Sequence, residues 1–154
     1  MKTLIIGEIL NETLSSGTLE IIKKAQDENL DYQVLTIGSD DTPKIGSNSF
    51  KQTYIKRSSE SLQFGNVTDL ITKIINEEDI KLILGSSTYL CRDLISFISV
   101  DLNSSPVSNA IDFEINEDTV STINSINGGD SLYKSKIASD YSLLLIRPKS
   151  FEPA

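Results

Sequence analysis

Residues Leu84 to Leu94 read LGSSTYLCRDL, a stretch that follows an apolar run and opens a helix-patterned segment. Gly85, Ser86, Ser87 and Thr88 stand where α/β proteins often hold a phosphate, because free amides at a helix start and neighbouring hydroxyls suit an anion. Arg92, one turn on, adds a positive charge. The competing reading is structural: Ser87 or Thr88 caps the helix, the commonest duty of such a residue, and residue chemistry alone favours the cap. Cys91 lies in the first helical turns beside Arg92, where the helix dipole lowers a thiol's pKa and makes a thiolate conceivable. With no general base nearby in sequence, a lone cysteine reads instead as a small buried apolar residue. Two more strand-ending glycines, Gly7 followed by Glu8 and Gly38 followed by Ser39, complete a possible ligand rim with Gly85. None of the three forms GxGxxG or GxxxxGK[ST], so neither standard phosphate fingerprint is present.

Other chemistry is narrowed by what is missing. The sequence has no histidine and one cysteine, which removes the common zinc and non-haem iron sites, Ser-His-Asp catalysis and any intramolecular disulfide. No catalytic residue and no metal site is assigned. The acidic pairs Asp40-Asp41 and Glu77-Glu78 read as solvated surface. A formal charge of −8 with three arginines leaves no basic stripe for nucleic acid or for an anionic membrane surface. The short apolar run in MKTLIIGE is not a signal peptide, and no stretch approaches a membrane span. The expected compartment is the cytoplasm.

The elements that would position this rim follow from pattern. KTLIIG, DYQVLTIG and IKLILG are buried-type strands ending in glycine, and KQTYIKR is a polar, lysine-flanked candidate for a sheet edge. A helix is expected from about Ser16 to Leu30, with Leu19, Ile22 and Ala25 on one face. A second carries Val67, Leu70, Ile71, Ile74 and Ile75 as its stripe, with Asn66 as N-cap and Asp69 at the capping-box position. A third carries Leu90, Leu94, Ile95, Ile98 and Leu102 and is stopped by Pro106. SDDTPKIGSNS is an exposed connection. From Asn109 onward four β-type runs, NAIDFEI, TVSTINSI, LYKSKI and YSLLLIRP, suggest an antiparallel meander or hairpins. NGGDS is superficially similar to the SGGxDS loop of ATP pyrophosphatases, but it lies between two β-runs, where it reads as a hairpin turn. The sum is one domain over 1–154: a three-layer α/β/α Rossmann-like fold with a mostly parallel sheet and a β-rich C-terminal extension.

Taken in order, GSSTYLCRDLISFISVDLNSSPVSNAIDFE, INGGDSLYKSKI and LLLIRPKSF resemble the alpha subunit of electron transfer flavoproteins. That family shows a glycine- and Ser/Thr-containing turn, a GKDL-like helix start, a VSD element, an IYAGNA turn and a TVRP.AF terminal strand. TLIIGE and the helix after it fit the family's opening. Cys91-Arg92 stands where the family has glycine-lysine, Asn109 replaces the aspartate of VSD, and Gly129-Asp130 replaces part of GNA. The resemblance implies the alpha subunit's N-terminal domain, with an adenine-nucleotide-hydrolase-like fold. It further implies that the C-terminal domain supplying most FAD contacts in the family is absent from these 154 residues. A scaffold or docking role in electron transfer follows, without enzymatic activity of its own, beside a beta-like subunit, a separate FAD domain or a second copy of the chain. In the related beta subunit the loop equivalent to 85–92 helps hold an AMP, whereas the alpha-type loop ordinarily does not. The alternative is a stand-alone adenine-nucleotide or flavin module at the Gly7, Gly38 and Gly85 rim.

Overall fold

The computed structural model describes residues 1–38, 50–56, 64–129 and 131–153; the SDDTPKIGSNS connection, with Asp40-Asp41, lies outside them. The chain runs β1 (Lys2–Ile6), β2 (Ile9–Leu10), β3 (Thr13–Leu14), α1 (Ser16–Asp27), β4 (Asp31–Gly38), β5 (Lys51–Lys56), α2 (Phe64–Glu77), β6 (Leu82–Ser86), α3 (Tyr89–Asp101), β7 (Pro106–Ala110), β8 (Asp112–Asn116), β9 (Thr119–Ile126), β10 (Ser131–Lys136) and β11 (Ser142–Ile146).

Six strands form one sheet in the order β5-β4-β1-β6-β11-β7, every pairing parallel. Because side chains alternate across a strand, each central strand feeds two cores. Leu4, Ile6, Ile83, Leu143 and Leu145 face α2 and α3. Ile5, Leu82, Leu84, Leu144 and Ile146 face α1 together with Phe113 and Val120 of a three-stranded antiparallel sheet, β10-β9-β8. This is the expected three-layer α/β fold, except that one outer layer is built jointly by a helix and a sheet.

The helices end alike. Asn29, Asp79 and Asn103 take left-handed φ of 54°, 54° and 49°, and the next amides reach back: Leu30 N to Ala25 O at 2.9 Å, Ile80 N to Ile75 O at 3.0 Å, Ser104 N to Ser99 O at 3.1 Å. These are Schellman-type closures that satisfy the last carbonyls. Pro106 therefore does not stop α3. It opens β7, at the sheet edge, where its missing amide is tolerated.

Helix α2 begins two residues before Asn66, so Asn66 and Asp69 are helical rather than capping. Leu70, placed on the apolar stripe by spacing, is 49% exposed; Thr68 takes a buried position beside Val67, Ile71 and Ile75. Glu78, read as solvated surface, accepts hydrogen bonds from Gln33 and Lys51 and ties the end of α2 to β4 and β5. Those two donors hold its carboxyl below the usual range against a partial opposing effect of burial.

KQTYIKR supplies the edge strand β5 as expected, and Gly128 and Gly129, at φ 66° and 100°, turn the β9–β10 hairpin. YSLLLIRP does not continue the meander: β11 inserts between β6 and β7 and closes the parallel sheet. The β2–β3 hairpin, turned at Asn11 and Glu12 with φ of 52° and 67°, has no counterpart in the sequence-based expectation.

Candidate functional site

In an open parallel sheet the ligand crevice lies at the carboxyl ends of the strands where connections diverge to opposite faces. Here that place is between β1 and β6, since α1 covers one face and α3 the other. The turns after Gly7 and Gly85 meet there. Gly38 ends the neighbouring strand β4 on the same rim, where a Cβ would meet the Tyr54 hydroxyl at 2.6 Å.

The two central glycines allow close helix packing. A Cβ at Gly7 would lie 2.9 Å from Val34 and 3.3 Å from Thr18 of α1, and one at Gly85 would lie 3.0 Å from Ile95 and 3.2 Å from Cys91 of α3. A third glycine, outside the strand-ending pattern, is tighter still: a Cβ at Gly17 would sit 2.6 Å from the Ser86 hydroxyl. The first turn of α1 is thus pressed onto the end of β6.

Four amides of the LGSSTYLCRDL turn are bonded within the protein. Ser86 is buried in β6. Ser87 N donates to Ile146 O at 2.8 Å, Thr88 N to Ser86 O at 2.7 Å and Arg92 N to Thr88 O at 2.9 Å. Thr88 is the N-cap of α3, its hydroxyl accepting from Cys91 N at 3.4 Å. The amides of Ser87, Thr88, Cys91 and Arg92 are therefore each taken within the protein.

Glu8 fills the space before them. Its Oε1 accepts from the Thr88 hydroxyl and from Cys91 Sγ at 3.4 Å, so a carboxylate of the chain itself stands at the positive end of α3. Glu8 is fixed from behind as well: its amide donates to Thr18 Oγ1 at 3.0 Å and its carbonyl accepts from Ser15 N at 2.8 Å. Ser15 in turn caps α1 through Thr18 N at 3.2 Å. A phosphate entering here would have to displace a like charge.

Cys91 is fully buried, and its thiol also points to Ile6 O at 3.6 Å. Burial, then the Glu8 charge, push it up to about 12, so it is a thiol throughout the physiological range and no nucleophile. Arg92 is exposed on the first turn of α3. The structure thus brings Gly7, Gly85, Ser86, Ser87, Thr88 and Cys91 together and leaves Gly38 and Arg92 at the margins. Sequence reading placed Glu8 on the rim without its part at the start of α3, and missed Gly17. The only local hints are Glu8's place directly after a strand-ending glycine and the SSGT string that opens α1.

Among the described residues no group of three His, Cys, Asp or Glu could hold a metal, and no helix is long and apolar enough to cross a membrane. No curated protein matches the chain significantly. A family model described as the electron transfer flavoprotein domain matches residues 3–154. With all but two residues inside that match, the chain belongs to the electron transfer flavoprotein domain family.

Proposed function

We propose that this protein is an alpha-type docking domain that acts in the cytoplasm and holds a flavin-bearing partner in place for electron transfer. The observation that carries this reading is the Glu8 carboxylate at the start of α3, with the Thr88 hydroxyl and the Cys91 thiol donating to it. A built-in carboxylate and four bonded amides count against a nucleotide phosphate at this rim. FAD, wherever a beta-like subunit or a separate domain holds it, supplies the electron-carrying chemistry. This chain contributes a rigid parallel sheet and a surface.

The surface best suited to docking is the open edge of the antiparallel sheet. Ile137 N donates to Val120 O at 2.9 Å, and alternation along the ladder commits Ser131, Tyr133 and Ser135 to β9. The main-chain groups of Leu132, Lys134 and Lys136 then face outward. Leu132, Tyr133 and Ile126 are 62%, 46% and 43% exposed, so an extended strand of the partner subunit would gain both hydrogen bonds and apolar contact. Coexpression with a beta-type subunit of the family tests this. The expected product is a one-to-one heterodimer, and Leu132→Pro, which removes an outward amide and an exposed leucine side chain, weakens it without lowering the melting temperature. A chain that stays monomeric beside that subunit contradicts the reading.

A stand-alone adenine-nucleotide or flavin module is the second reading, favoured by one observation: the Ser87 hydroxyl is buried and has no hydrogen-bond partner among the described residues. Ser87→Ala separates the two. It leaves stability equal or higher in a docking domain and lowers nucleotide affinity in a binding module.

A further inference from the structure

Strand β10 reads SLYKSK, and none of its residues is buried. It ends the antiparallel sheet, with β9 as its one neighbour among the described residues. Ser131, Tyr133 and Ser135 spend their main-chain groups on β9, while those of Leu132, Lys134 and Lys136 point outward. The side chains divide in the same rhythm. Leu132, Lys134 and Lys136 stand beside Ser125, Ile123 and Ser121 of β9, on the face turned away from Val120 and the core.

A strand added to this edge therefore meets one leucine and two lysines on the outer face. On the inner face it meets Tyr133, which is 46% exposed. In a chain of net charge −8, cations at two of three outward positions run against the overall balance. Lys134 is bonded to Glu114 of β8. Lys136 is exposed and shares a hollow at the β8–β9 turn with Glu117, yet it forms no ion pair among the described residues.

These charges decide between two occupants. A second copy of β10, laid antiparallel so that all three outward residues are paired, is centred on Lys134. That register sets Lys134 opposite itself and Lys136 opposite Leu132, and like charges directly opposite are destabilising. Two copies also repel through their net charge. Lysines guard an edge against its own kind in this way, and the same lysines favour a strand of opposite sign.

We propose that this edge takes an acidic, alternating strand of the partner, with carboxylates opposite Lys134 and Lys136 and an apolar side chain opposite Leu132. The proposal rests on the docking role and names the chemistry of the segment that docks. Main-chain hydrogen bonds supply the attachment, and the side chains on alternate positions supply the selection.

The probe is a capped peptide of alternating glutamate and valine closed by leucine. Antiparallel addition sets its glutamates opposite Lys136 and Lys134 and its leucine opposite Leu132. A second peptide carries lysine in place of glutamate. Titration of the full chain, followed by amide chemical shifts in β10, gives saturable binding of the glutamate peptide alone, weakened as salt rises. Lys136→Glu weakens that binding about fivefold, the worth of a cross-strand charge pair, and its melting temperature establishes that it is folded. Equal affinity for the two peptides, no saturable shift with either, self-association of the chain through β10, or a Lys136→Glu variant that binds as the parent does overturns the proposal. The heterodimer separates this from the docking role. A heterodimer indifferent to Lys136→Glu contradicts the acidic strand and leaves docking in place, whereas a chain that stays monomeric beside the beta-type subunit contradicts docking itself.

Discussion

Glu8 performs at the start of α3 the duty a bound anion would otherwise have. Its partners lie 80 and 83 residues away, which is why no local pattern revealed its role, whereas a cap at Ser87 or Thr88 was legible from residue type and the structure assigns it to Thr88. Replacing Glu8 by alanine leaves the Thr88 hydroxyl and the Cys91 thiol without their acceptor and removes a favourable charge from a helix N-terminus. The expected loss is about 1–2 kcal/mol, read by denaturant unfolding. Glu8→Gln, which keeps an acceptor oxygen, loses less than Glu8→Ala; equal losses would contradict this role. Cys91 supplies a second expectation at the same scale. A buried thiol pushed up to about 12 reacts with a thiol reagent at neutral pH only when the chain opens, so labelling follows denaturant concentration. Fast labelling of the native chain would contradict the burial. Glu20 is a further buried carboxylate outside sequence reach. Its oxygens accept from Lys149 N at 3.2 Å and Phe151 N at 3.5 Å, pinning the segment after β11 to α1.

Among the elements, the strand-glycine-helix units were legible because buried parallel strands are continuous apolar runs. The same rule, applied to SLLLI, distinguishes β11: all five of its residues are buried, unlike those of β10, where exposed residues dominate. Grouping YSLLLIRP with the hairpins by position in the chain hid that contrast. Leu70 shows the limit of helical spacing, since a stripe marks a face and the neighbouring helix decides how much of that face it covers. The end of α2 gives a pH expectation. Glu78 has its folded pKa lowered by Lys51 and Gln33, so its contribution to stability is present above the unfolded carboxylate value, about 4.3, and is lost as pH falls through the lower folded value. Melting temperatures between neutral and acid pH should therefore fall less steeply in Glu78→Gln than in the parent chain. Parallel pH profiles would remove Glu78 from the linkage.

For the whole molecule, family and fold both trace to the order of loose motifs, while the state of the rim needed three dimensions. A sheet of this topology offers a crevice between β1 and β6, and in this chain Gly17 lies close against Ser86 there and Glu8 against the start of α3. The net charge of −8 adds a general repulsion toward phosphates that only a local cluster of donors could overcome. We propose that this rim holds no nucleotide and that flavin chemistry resides in a partner. Calorimetric titration of the purified chain with AMP and with FAD tests it most directly. The docking account predicts a colourless protein with no saturable heat from either ligand; saturable binding abolished by Arg92→Ala would contradict it and place a nucleotide at the start of α3.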